Sequence, residues 1–244
     1  MTVARSLYGT YFPYGVPVAV RNMQYAADVP GDGNYIARFG APLALSANGI
    51  LNAGLMVNGS AVTFNTLGAG AGTATVIGYN GLVPFDSLTI GGNGWGRNIT
   101  VVASAANARV LTVYGYDYLG QAMREDITIN GTTTVQGNKA FAWITSLVAG
   151  SSTDTTTINV GWGNKFGLPY AGNAMLSEMK NQAAAANAGT FTGALLDATT
   201  ATATNADTRG TYLPSTVIPD GVNTFEVLYY VRDGNLHGNA QYYA

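Results

Sequence analysis

The sequence contains no cysteine and a single histidine, His237. Disulfides and thiolate metal sites are thereby excluded, and so is a metal or catalytic centre built from several histidines. Charge is scarce too: 10% of residues are Asp, Glu, Lys or Arg, and the formal net charge is −2. Such a balance offers nucleic acid no basic footprint and includes no acidic tail. No stretch supplies the roughly 18 consecutive apolar residues of a membrane-spanning helix, and the opening MTVARSLYGTYFPYG lacks the apolar stretch of a secretion signal. The expectation is a chain made in a cytoplasm, with neither nucleic acid nor membrane as partner.

What is present is apolar and turn-forming. Hydrophobic residues make up 47% of the 244, and there are 32 glycines. That length can bury a sizeable core, as one large β domain or two small ones. Few charges remain to keep a monomer's surface wet, so part of the surface is expected to be covered by other subunits. Short β-branched and aromatic runs separated by Gly and Asn favour strands over long helices. The predicted class is all-β, a β-sandwich or jelly-roll-like domain with an extended N-terminal arm and at most one short helix.

The arm is assigned to residues 1–40, where Pro13, Pro17 and Pro30 and repeated glycines interrupt any long element. Its Arg5, Tyr8, Tyr11, Phe12 and Tyr14 form a candidate partner interface, because aromatics concentrate at interface cores. The alternative is that these rings fold back over the domain's own core. Residues 41–244 form the β-rich domain, divisible into 41–90 and 91–244. Asn48-Gly49, Asn58-Gly59 and Asn80-Gly81 have the chemistry of two-residue hairpin turns and are read as strand ends.

Residues 97–170 carry the clearest strand signal. In RVLTVYGYD, Val110, Thr112 and Tyr114 fall on one face and Leu111, Val113 and Gly115 on the other, and Ile127 and Ile129 share a face downstream. In 173–189, NAMLSEMKNQAAAANAG holds the strongest helix formers of the chain and is the place for one short helix. NTFEVLYYVRDG then alternates as a closing strand.

The order GRNITV, RVLTVYGYDYLGQAMREDITINGTTTVQGNKAFAWITSLVAG, TTINVGWGNKFGLPY, DTRGTYLPST and PDGVNTFEVLYY, over roughly residues 90–231, resembles a family of tailed-bacteriophage virion proteins found near capsid genes. Its anchors are the TING, TTTV and KAF turns, GLPY at 167–170 and DTRGTY at 207–212. The resemblance implies a β-rich head decoration or cement subunit, made in a host bacterium and placed on the capsid exterior. It would bind the major capsid protein and itself, as a trimer or dimer. A receptor- or glycan-binding head-fibre or tail protein, and a head-tail or tail-tube component, are the alternatives.

Other constellations are weaker. GAGAGT at 68–73 lacks the Lys-Ser/Thr of a phosphate loop, and GGNGWG at 91–96 lacks the dinucleotide spacing. Glu125 and Asp126 are adjacent, so on a strand they face opposite ways and cannot together flank a scissile bond. Asp28, Asp32 and Asn34 are oxygen-rich but lack the closing Glu of a calcium loop. Trp143 sits in an apolar alternation and reads as core. Trp95 and Trp162, each between glycines, are candidate surface aromatics. No catalytic residue, cofactor or metal site is expected, and the chain reads as a non-enzymatic structural protein.

Overall fold

A computed structural model of the chain describes residues 33–55, 83–84, 95–106, 109–149, 156–184, 189–195, 207–231 and 238. These residues are all-β, as the strand-and-turn composition predicts. The strands are β1 (Gly33–Gly40), β2 (Ser46–Leu55), β3 (Val83–Pro84), β4 (Arg97–Ala103), β5 (Val110–Tyr116), β6 (Ala122–Thr128) and β7 (Val135–Phe141), followed by β8 (Trp143–Ala149), β9 (Thr157–Gly167), β10 (Gly172–Lys180), β11 (Ala183–Ala184), β12 (Thr190–Thr192), β13 (Thr211–Leu213) and β14 (Phe225–Val231).

They form three antiparallel sheets. The central one runs β12-β13-β9-β4-β7, with β2 also paired to β9; the outer ones run β3-β8-β5-β6 and β1-β14-β10-β11. The central sheet packs against each outer sheet, giving two sandwich-like cores. In the first, Ile99, Val101, Ile158 and Val160 of the central sheet meet Leu111, Val113, Ile127, Ile144 and Leu147. In the second, Phe166 and Tyr212 meet Phe39, Phe225, Val227 and Tyr229. Strand β9 supplies both. Each fully buried aliphatic side chain contributes roughly 1.5–3 kcal/mol, so neither core is a minor term.

The β5–β6 hairpin follows its sequence pattern. Leu111 and Val113 are buried while Val110 is exposed, and Leu111 lies opposite Ile127 in register. The connection is closed by Asp117, whose carboxylate accepts from the N–H groups of Leu119 (2.9 Å) and Gln121 (2.8 Å).

Three expectations are corrected or redrawn. Among the described residues the helix expected at 173–189 is absent: Gly172–Lys180 is strand β10, paired along β14. Backbone partners in β14 and the packing of Met175 on the second core outweigh a helix propensity worth only tenths of a kcal/mol per residue. Register shifts between Gly172 and Ala174 and between Met175 and Ser177 break the two-residue alternation that would have revealed a strand. Asn48-Gly49 does not end a strand but lies inside β2, in an irregular stretch between Ser46↔Trp162 and Leu51↔Val160; Asn58-Gly59 and Asn80-Gly81 lie outside the described residues. Finally, the last part of the expected arm, Gly33–Gly40, is strand β1 on the edge of an outer sheet.

Candidate functional site

Strand parity places an acid where apolar residues belong. Met123, Glu125 and Ile127 point the same way from β6, into the space between the sheets, and Glu125 is only 1% exposed. Desolvation pushes its carboxyl up to about 7, against the opposing pull of two N–H donors and of Lys139 and Lys165. The donors are the backbone N–H groups of Asn138 (2.6 Å) and Lys139 (3.4 Å) on β7. They face Glu125 because β7 bulges: between Asn98↔Ala140 and Thr100↔Gln136 it runs longer than β4. Gly137 permits the approach, since a Cβ there would stand 2.6 Å from Glu125 Oε2.

A second bulge, on β9 between Trp162 and Phe166, lies on the other side of β4, and Asn98 ties the two together. Its Nδ2 donates to Gly137 O (3.2 Å) and Gln136 Oε1 (3.1 Å), and its Oδ1 accepts from Lys165 N–H (2.9 Å). Lys165 Nζ donates to Gly137 O (3.0 Å) and Asn138 Oδ1 (2.8 Å). Desolvation lowers the pKa of both Lys165 and the fully buried Lys139, while nearby carboxylates pull the other way.

The DTRG turn completes this polar belt. Asp207 Oδ2 accepts from Ala140 N–H (3.0 Å) and Oδ1 from Arg209 N–H (2.9 Å). Arg209 Nη1 donates to Asp117 Oδ2 (2.7 Å), its Nε donates to Leu168 O (3.1 Å), and its guanidinium lies 4.7 Å from the Tyr118 ring centroid. The Tyr118 hydroxyl donates to Pro169 O. On the neighbouring strand, buried Arg97 donates from Nε to Gly163 O (2.8 Å) and from Nη1 to Leu43 O (3.2 Å). Charged side chains here mostly hold backbone: they tie loops and strand bulges to one another.

Beside Glu125 lies a groove of about 220 Å³ between β6 and β7, lined by residues 125–128 and 135–138. Both strands end their sheets there. Asp126 does not join Glu125; it turns to the opposite face, where it accepts from Thr112 Oγ1 (2.7 Å) and Arg124 Nη2 (2.7 Å). The two carboxylates are therefore separated, as adjacency on a strand requires.

A second feature is apolar and outward. Leu43 and Leu45 on the β1–β2 connection, and Ile218 and Val222 before β14, are all exposed, Val222 by 77%. The two loops are joined by Gly221 N–H donating to Pro42 O (2.8 Å). Asp220 holds Val222 out by accepting from its N–H (2.9 Å) and from Asn223 N–H (2.7 Å). Arg97 anchors the floor through Leu43 O.

Arg5, Tyr8, Tyr11, Phe12, Tyr14 and His237 lie outside the described residues, as do Asp28 and Asp32; Asn34 is in β1. The side chain of Trp143, on β8, is likewise not described. Trp95 and Trp162 are half-buried. Trp95 stands edge-on to Phe39 with centroids 5.6 Å apart, and Trp162 Nε1 donates to Ala44 O (3.0 Å) beneath β2. Each side chain makes a contact within the chain and keeps part of its ring exposed. No group of three or more His, Cys, Asp or Glu suited to a metal occurs among the described residues. The polar belt was missed in the sequence, although the inward parity of Glu125 between Met123 and Ile127 was a signal for it.

Compared with known proteins, the chain matches no family model, no curated protein and no solved structure.

Proposed function

We propose that the protein is a non-enzymatic virion structural subunit that binds and stabilises a phage capsid shell as a decoration or cement protein. The observation that carries this reading is the apolar surface of Leu43, Leu45, Ile218 and Val222, raised on two hydrogen-bonded loops. In a chain with 10% charged residues, exposed large apolar groups on a braced base suit a permanent protein contact. The sequence resemblance to virion proteins supplies the partner, the major capsid protein. The mechanism is mass action: a subunit that binds only the assembled shell stabilises it by its binding free energy.

The test is co-sedimentation of the full chain with undecorated particles, comparing wild type with an Ile218→Asp, Val222→Asp double variant. Two charges in a desolvated contact are expected to weaken binding by at least about a hundredfold, while circular dichroism and thermal midpoint stay unchanged because both side chains are exposed. Equal binding by the two proteins removes the surface from the interface. Failure of the wild type to bind any particle overturns the cement reading.

A further inference from the structure

The groove between β6 and β7 separates two sheet edges, and an ionisable side chain, Glu125, bridges them there. On one side β6 ends the β3-β8-β5-β6 sheet; on the other β7 ends the central sheet. Glu125 crosses between them, from β6 to the N–H groups of Asn138 and Lys139. We propose that protonation of Glu125 works this seam as a clamp: the neutral carboxyl keeps the two edges together, and the ionised one draws water in from the groove and parts them.

The geometry supports each half of the statement. Glu125 shares its face with Met123 and Ile127, which belong to the first apolar core, so the neutral carboxyl is the form that tolerates these neighbours. An ionised carboxylate there needs solvation, and the adjoining groove of about 220 Å³ has room for several waters. The groups facing Glu125 are few. Lys139 on β7 and Lys165 on β9 favour the ionised form, and Asp207, beyond Lys139, competes for that lysine. On β6 itself Arg124 and Asp126 pair with each other on the far face. The β5 residue opposite Glu125 is Val113, which offers no charge. Desolvation outweighs the N–H donors of Asn138 and Lys139 and the two lysines together, which places the transition near neutral pH.

The consequence is a seam that is tight below neutrality and looser above it. Opening exposes β6 and the first half of β7 as two free strand edges without disturbing β9, which is held on both sides by β4 and by β2 or β13.

The test is hydrogen exchange of the full chain at about pH 5.5 and about pH 8.5, corrected for the intrinsic pH dependence of exchange, on wild type and Glu125→Gln. In the wild type, protection of peptides covering 122–128 and 135–141 is expected to fall about tenfold or more relative to 157–167 as the pH rises. Glu125→Gln keeps an acceptor but cannot ionise, and is expected to hold its protection at both values. The same loss in the variant, or no loss in the wild type, overturns the clamp. A variant that does not fold leaves a second readout in the wild type: the Glu125 carboxyl carbon resonance should titrate with a midpoint at about 7. A midpoint in the ordinary carboxylate range overturns the proposal as well.

Discussion

The two cores differ in what fills them and in where along the chain the filling comes from. The first is aliphatic, with Phe141 as its one fully buried ring among the described residues, and most of it comes from the consecutive strands β4 to β9. The second is aromatic. Phe39 stacks on Phe166 with centroids 4.7 Å apart and on Tyr212 at 5.8 Å, and its outer sheet joins segments far apart in the chain through the pairing of Gly33 with Val231. Short-range hairpins need only alternating β-branched residues to find each other. A core that joins distant segments must overcome more loop-closure entropy, and large rings bring more buried area per residue to offset it. The polar belt between the cores supplies direction where neither apolar surface does.

The sharpest way to break this comparison is at the belt. Arg209→Met leaves Asp117 buried without its ion-pair partner, and removing one member of such a pair costs about 3–5 kcal/mol. Urea unfolding should show that loss, and adding Asp117→Asn should recover a good part of it. Next come the cores themselves. Phe166→Ala is expected to cost about 3–5 kcal/mol and Val113→Ala about 1.5–3 kcal/mol, so equal losses by denaturant titration would mean the aromatic core is no denser than the aliphatic one. Gly161→Ala tests the roof of the first core: its Cβ would stand 1.6 Å from the Ser46 carbonyl oxygen, a backbone atom that yields only by displacing β2. The expected loss is about 2–3 kcal/mol, with fluorescence of Trp162 shifted because that ring lies beneath β2.

A smaller effect follows from pH. Glu125 has a folded pKa of about 7 against an ordinary 4.5, so between these values the folded chain holds the proton more tightly than the unfolded one. Its contribution to stability therefore falls as pH rises through that window and is level above it. Lys139 and Lys165, both lowered from 10.5, act in the opposite sense as pH rises toward that value. Thermal midpoints should show a loss worth about 1–3 kcal/mol between about pH 4.5 and about pH 7 in wild type, and a flatter profile in Glu125→Gln. The smallest effect is expected at the rim of the second core. Arg38 faces Glu226 at 3.4 Å but is 57% exposed, so Arg38→Ala should change stability by under about 0.5 kcal/mol.

The first core was legible in the sequence because alternation is a local signal. Leu111, Val113, Ile127 and Ile129 announce their shared face without knowledge of any partner. The second core was not, because its signals are long-range or interrupted: Phe39 belongs with Phe166 only after the sheets are packed, and the bulged β10 hides its period among good helix formers. The belt was half legible. Glu125 follows the parity of its apolar neighbours, but its donors exist only because β7 carries extra residues at 137–139, and no periodicity in that strand marks the insertion. Of the expected arm, residues 1–32 lie outside the described residues, whereas 33–40 is a strand because β14 offers it partners from Val231 to Phe225.

The carboxylates that accept from β7 have one more consequence. An edge strand is dangerous in proportion to the backbone donors it leaves unoccupied, since those donors template the next strand of a growing fibre. On β7 the N–H groups of Asn138, Lys139 and Ala140 are already occupied by Glu125 and Asp207. A chain so poor in surface charge has little electrostatic repulsion to keep its copies apart at high local concentration. Here part of the safeguard against fibrillation is built into the interior: acids that other proteins display to solvent are turned inward to stopper one stretch of a strand, so crowding copies find those three donors already taken.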